Sequence, residues 1–157
     1  MLQTLLSRSA PGLLAAVLLL FAGALPAQTT WKSPESIKTG LRIMNQVVGH
    51  TGRLIAAKNY DQLPREGQEF EQGLAVLNEG IANESADFKT KIGPLLAKAR
   101  VAANAMSEAA QTHNESMLSL THEQFAAAVK AVTDMFPEEM RPQPRTTTGP
   151  ASGAGAQ

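Results

Sequence analysis

Three side chains near one corner of the chain have the types a metal ion uses: His113, Met117 and His122. Imidazole and thioether together suit copper, and imidazole alone suits zinc. His113 and Met117 have i, i+4 spacing, so on one helix they would share a face, with His122 approaching from the start of the next. The same residues also fit a structural pattern of a histidine ending an apolar seam, a core methionine and a histidine in a capping turn. No carboxylate stands at a fixed spacing beside them. The remaining histidine, His50, falls off the apolar seam and is expected to face solvent. No serine or threonine is paired with a histidine and a carboxylate, so nucleophilic catalysis has no support. Glu66, Glu69 and Glu71 lie near a helix start, where carboxylates suit the positive end of the dipole. The chain has no cysteine, which excludes disulfides, thiolate metal sites, covalent haem and a lipoprotein anchor.

Four segments with a repeating 4-3 spacing of apolar residues must position these groups. The first is Ile37, Leu41, Met44, Val48, Thr51 and Ile55, and the second is Phe70, Leu74, Leu77 and Ile81. The third runs Ile92, Leu96, Ala99, Ala103, Met106, Ala110, His113 and Met117, and the last is Phe125, Val129, Val132 and Phe136. Such steps give an apolar stripe on a helix that packs against near-parallel or antiparallel neighbours. Four stripes joined by short loops predict an all-α, up-down-up-down antiparallel four-helix bundle.

Ser33-Pro34-Glu35 reads as a helix start, with a hydroxyl cap, a proline in the first turn and an acid near the dipole. Helix 1 is expected from Pro34 to Asn59, helix 2 from Arg65 to Asn83 and helix 3 from Phe88 to Asn114. Gly93-Pro94 should kink helix 3 near its start or make Pro94 its first residue. Helix 4 is expected to open with the capping-box spacing of Thr121 and Gln124 and to end at Phe136. Gly49 and Gly52 inside helix 1 mark the best candidate for a close contact. Ala99, Ala102, Ala103, Ala105, Ala109 and Ala110 make helix 3 the expected centre of tight packing, or else leave room for a ligand between helices.

Residues 1–27 read as an export signal. Arg8 supplies the positive region, Leu13 to Leu20 the apolar run, and Ala22-Gly23-Ala24 or Leu25-Pro26-Ala27 the cleavage site. The run from Gly12 to Leu25 is shorter than the roughly 20 residues a membrane span needs. Residues 28–140 then form the bundle, and the Pro-, Thr-, Gly- and Ala-rich stretch 141–157 is expected to be a disordered tail. Without Arg8 the chain carries 13 basic and 14 acidic residues, interleaved rather than in blocks, which argues against nucleic-acid binding.

The stretch Pro34 to Gly49, P-E-S-I-K-T-G-L-R-I-M-N-Q-V-V-G, resembles the first helix of the cytochrome c-prime family, periplasmic four-helix bundles related in fold to cytochrome b562. That family has I-K-x-R-Q-x-x-M-x-x-I-G there; aligned on Gly49, Leu41 stands at its arginine and Asn45 at its methionine. The Tyr60-Asp61 turn, the amphipathic second helix and the alanine-rich third extend the resemblance. Counting back from Arg141, Thr133 and Phe136 occupy the positions of the family's thioether cysteines, and Pro137 that of its axial histidine. The resemblance therefore implies a scaffold without covalent haem and with no cofactor. Non-covalent haem held by Met44, in an electron carrier, is the alternative it leaves. It also implies a homodimer through helices 1 and 2. The function expected is that of a non-enzymatic periplasmic or secreted protein that binds a partner protein or small ligand. A copper or zinc binder at His113, Met117 and His122 is the second alternative.

Overall fold

The structure, a computed structural model, describes residues 31–143. The expected export signal and all but the first residues of the expected tail lie outside them. Four α-helices occupy this region: α1 Pro34–Ala56, α2 Leu63–Ile81, α3 Ala86–Gln111 and α4 Glu115–Asp134. Two short 3-10 turns, Tyr60–Gln62 and Glu138–Met140, complete it, and no strand is present among the described residues. The fold is an all-α four-helix bundle. No helix in the described region is long and apolar enough to cross a membrane.

The helix boundaries follow local hydrogen bonding more closely than the apolar pattern. Ser33 does not cap α1 with its hydroxyl; its carbonyl accepts the Ile37 N–H instead. The first helix stops at Ala56, short of Asn59, because Lys58 turns to φ 56°. The Asn59 N–H then reaches back to Leu54 O and that of Lys58 to Ile55 O, the paired bonds of a Schellman motif. Pro64 sits in the first turn of α2, where its missing N–H leaves no helical bond unmade. In α3, Ser85 accepts the Phe88 N–H, and the helix continues through Pro94 without ending.

The largest departure from expectation is α4, which begins at Glu115 rather than Thr121. Asn114 Oδ1 accepts the Met117 N–H at 3.0 Å and so caps the helix one corner earlier. Thr121, expected as the cap, lies buried inside α4 and donates its hydroxyl to Met117 O.

Every member of the second and fourth seams is buried, and Phe70 meets Phe125 edge to face with centroids 5.0 Å apart. In α3 the seam alanines Ala99, Ala103 and Ala110 are packed in the core together with Ala102 and Ala109. Trp31, Phe88 and Phe136 close one end with centroid separations of 5.2 to 5.5 Å.

Among the glycines, the closest helix approach lies between α1 and α2, at Gly40, Gly73 and Gly80 rather than at Gly49 or Gly52. A methyl group built on Gly40 would stand 2.7 Å from the Leu77 backbone nitrogen, and one on Gly73 2.8 Å from Ile43 Cγ2. At Gly80 it would lie 2.9 Å from the backbone nitrogen of Ile37. The paired positions reverse in order along the two helices. Gly49, by contrast, meets only Arg53 Nη1, at 3.7 Å, and Gly52 meets the ring of His122.

Gly40→Ala is expected to destabilise the protein by about 1–3 kcal/mol, since a backbone neighbour cannot retreat as a side chain does. Gly49→Ala, in an open helical site, is expected to stabilise it by up to about 1 kcal/mol. Urea unfolding of the two variants checks both signs.

Candidate functional site: the His50–Glu66 groove

Glu66 lies in the first turn of α2, between Leu63 and Phe70 on the buried face. It is only 2 % exposed. His50, on α1, turns onto it with Nδ1 2.8 Å from Glu66 Oε1, while 42 % of the imidazole side chain remains accessible. Glu66 Oε2 is buried and has no hydrogen-bond partner. Burial raises the pKa of Glu66 above the usual carboxylate value; His50 opposes the shift, and the neighbouring Glu69 carboxylate adds to it. An unsatisfied buried oxygen costs about 1–3 kcal/mol, and more when charged.

Above the pair lies an open groove of about 380 Å³, lined by Asn45, Gln46, Gly49, His50 and Arg53 of α1 and by Glu66 and Glu69 of α2. Gly49 lines the groove without a side chain, and Arg53 Nη1 lies 3.7 Å from where its Cβ would stand. Asn45 is held in place by donating to Leu41 O at 2.8 Å and to Thr133 Oγ1 of α4 at 3.0 Å. Asn45 and Gln46 also line a second groove of about 670 Å³ with Lys38, Arg42 and Arg141. The two recesses share the amides of Asn45 and Gln46; the first mixes carboxylates with Arg53, and the second carries three basic residues and Glu139.

Neither His50 nor Glu66 was a candidate from spacing. His50 is half-exposed rather than simply solvent-facing, and Glu66 is buried rather than serving only the dipole. One signal was present: stepping back from Phe70 by four and then three residues continues the second seam onto Glu66 and Leu63. A carboxylate on a seam breaks the apolar pattern and ends it for a periodicity argument.

The metal-ligand candidates are placed differently. His113 belongs to neither helix: at φ 50° it closes α3, its N–H bonded to Ala110 O and that of Asn114 to Ala109 O. Its ring lies beside Tyr60, with centroids 5.8 Å apart. Met117 is in the first turn of α4 and 46 % exposed. The helix face that i, i+4 spacing would give His113 and Met117 therefore does not exist. His122 is turned onto α1, with Nε2 3.0 Å from Val48 O. Among the described residues no three His, Cys, Asp or Glu side chains converge as metal ligands. Met44, the candidate haem ligand, is fully buried, with its Cγ packed against Gly73. An iron ligand must face a cavity large enough for the macrocycle, and the packing around Met44 does not fit a haem.

Two measurements follow from these placements. His113→Gly is expected to raise stability by about 1 kcal/mol in thermal unfolding, because glycine enters the left-handed region without the Cβ penalty. For Glu66 the folded-state pKa lies above the unfolded one. Across the window from the ordinary carboxylate value up to that raised value, the native state therefore holds more protons and stability falls as pH rises. Glu66→Gln removes this loss, so the stability difference between variant and wild type should grow through the window and be flat outside it. Denaturant midpoints measured from pH 4 to 8 test that sign.

Comparison of the chain with protein-family models, with curated proteins and with solved structures finds no match to any of them.

Proposed function

We propose that this chain is an exported, non-enzymatic, up-down-up-down four-helix bundle that binds a small polar ligand in the groove over Glu66. The observation that carries this reading is the open recess lined by the His50–Glu66 pair, whose carboxylate is buried while 42 % of the imidazole side chain remains accessible. A polar ligand in the recess would meet the accessible edge of the imidazole and the amides of Asn45 and Gln46. Enzymes also use a carboxylate with a raised pKa beside a histidine. The groove lining, however, holds no hydroxyl, thiol or lysine to act as a nucleophile, so binding is the better account. The reversed order of the α1–α2 glycine pairs supports the up-down-up-down arrangement. The 4-3 seams support a scaffold like that of cytochrome c-prime, and the lack of cysteine excludes covalent haem on it. A homodimer on α1 and α2 would cover the same groove, so self-association and ligand binding would compete.

Gly49→Leu tests the proposal, because it adds a bulky side chain at a position that lines the recess and is not packed against another helix. Thermal shifts should be recorded for both proteins against a panel of small amines, carboxylates, amino acids and sugars. The expected outcome is a compound class that raises the melting temperature of the wild type and not of the variant. Equal responses in the two proteins would overturn the groove as the site. Sedimentation at two protein concentrations, with and without the active compound, reads the competition with self-association.

A further inference from the structure

We propose that a second copy of this chain is a partner, reached by exchange of helix pairs. The corner between α2 and α3 straightens into one continuous helix, and α1–α2 of each copy packs on α3–α4 of the other. The helices already pack chiefly as these two pairs, α1 with α2 and α3 with α4. Such an exchange is separate from association through the outer face of α1 and α2.

The three corners of the bundle are built differently. The first turns through Lys58 at φ 56° and leads to Pro64, and the third turns through His113 at φ 50°. The second, Ala82-Asn83-Glu84-Ser85, holds no glycine, no proline and no residue at positive φ. Ala82 is still helical, at φ −55° and ψ −36°. Ser85 leaves the helix through ψ 150° while its φ of −59° is one that a helix also uses. No residue of this corner has to change the sign of its φ for α2 to run on into α3.

The phase of the core face is the independent observation. Ile81, the last core residue of α2, and Ile92, the first of α3, are eleven residues apart, within about 20° of three full helical turns. At the first corner Leu54 and Leu63 are nine residues apart, about half a turn out of phase. At the third, Ala110 and Leu118 are eight apart, about 80° out. Symmetry makes the phase matter. Two continuous helices lying side by side and antiparallel are exchanged by a two-fold axis normal to their plane, which leaves both cores on the same side. The core face of α2 must then continue into that of α3, and only the second corner provides this. Within one chain α2 and α3 meet in the required sense, since Glu71 pairs with Arg100 at 2.8 Å and Gly67 faces Ser107 Oγ.

Every contact between the two helix pairs reforms between copies, including Phe70 with Phe125 and Asn45 with Thr133. The balance therefore turns on the corner. Its closed form is held by the Phe88 N–H on Ser85 Oγ and by the Lys89 ammonium on Ala82 O. Its open form gains unbroken helical hydrogen bonding, each added residue extending a helix already nucleated. The groove at His50 and Glu66 stays within one copy, whereas the larger recess takes Lys38 and Arg42 from one copy and Arg141 from the other.

Refolding of the purified chain from urea at low and at high protein concentration, read by size exclusion with light scattering, tests the proposal. Ser85→Ala and Ser85→Pro both lose the hydroxyl that caps α3. Proline suits the existing φ, but inside a continuous helix it removes a hydrogen bond and clashes with the preceding turn. Wild type refolded at high concentration should give a dimer that returns only slowly to monomer on dilution. The dimer-to-monomer ratio should rise in Ser85→Ala and lie at least about tenfold lower in Ser85→Pro. Spin labels on Glu71→Cys and Arg100→Cys of one chain, diluted into unlabelled protein, identify the dimer. The two sites are neighbours in the closed chain and about 43 Å apart along a continuous helix. The long distance in the dimer establishes the exchange, and decides alone should Ser85→Pro not fold. A dimer that keeps the short distance overturns it. Equal dimer in the two folded Ser85 variants, or monomer at every concentration in wild type and Ser85→Ala, does so too.

Discussion

The backbone contact between α1 and α2 is the constraint on which the other features of this protein depend. Gly40 admits the main chain of Leu77, Gly80 admits that of Ile37, and Gly73 admits the side chain of Ile43. Packing at this distance leaves little freedom for one helix to slide along the other, because interiors are close-packed and side chains cannot make up a displaced backbone. Register between the two helices is therefore set by three positions without side chains. That register places His50 of α1 opposite Glu66 of α2, one end of the interface being tight and the other open.

The open end explains how a buried carboxylate is tolerated. Glu66 occupies a seam position between Leu63 and Phe70, where an apolar side chain would have packed more favourably. His50 satisfies one of its oxygens from the solvent side, and burial shifts its proton equilibrium upward instead of excluding the group. Stability is lost locally at a point where the rest of the core, including the Phe70–Phe125 pair, is filled with well-packed apolar groups.

The corners follow a different rule. Both α1 and α3 end in Schellman motifs whose left-handed residues are Lys58 and His113, not glycine. Sequence signals for helix ends emphasise Gly, and neither position advertises itself. The Lys58 ammonium reaches Glu115 Oε1 at 2.8 Å across the corner between α1 and α4, and His113 rests against Tyr60. Tertiary contacts at these corners thus accompany backbone conformations that local propensity disfavours.

Four helices were legible in the chain because Ile37, Phe70, Ile92 and Phe125 begin apolar runs in helical steps, although the last members of the third run, His113 and Met117, lie beyond the end of α3. Burial follows face, and face follows from a period of 3.5 to 3.6 residues. The absence of cysteine likewise excluded thiolate chemistry outright. The sequence by itself did not determine which glycines would meet a backbone, since Gly40, Gly49 and Gly73 look alike until a neighbouring helix is in position. Nor did it determine that Asn114 rather than Thr121 would cap α4, because both are good caps and the choice depended on where His113 turned the chain. The partnership of His50 with Glu66 was decided only by tertiary structure. The two residues lie on different helices, and an isolated carboxylate near a helix start looks the same whether it faces water or the core. Periodicity records which face a residue occupies, while the charge state and partners of a polar group depend on what the opposite helix brings to that face.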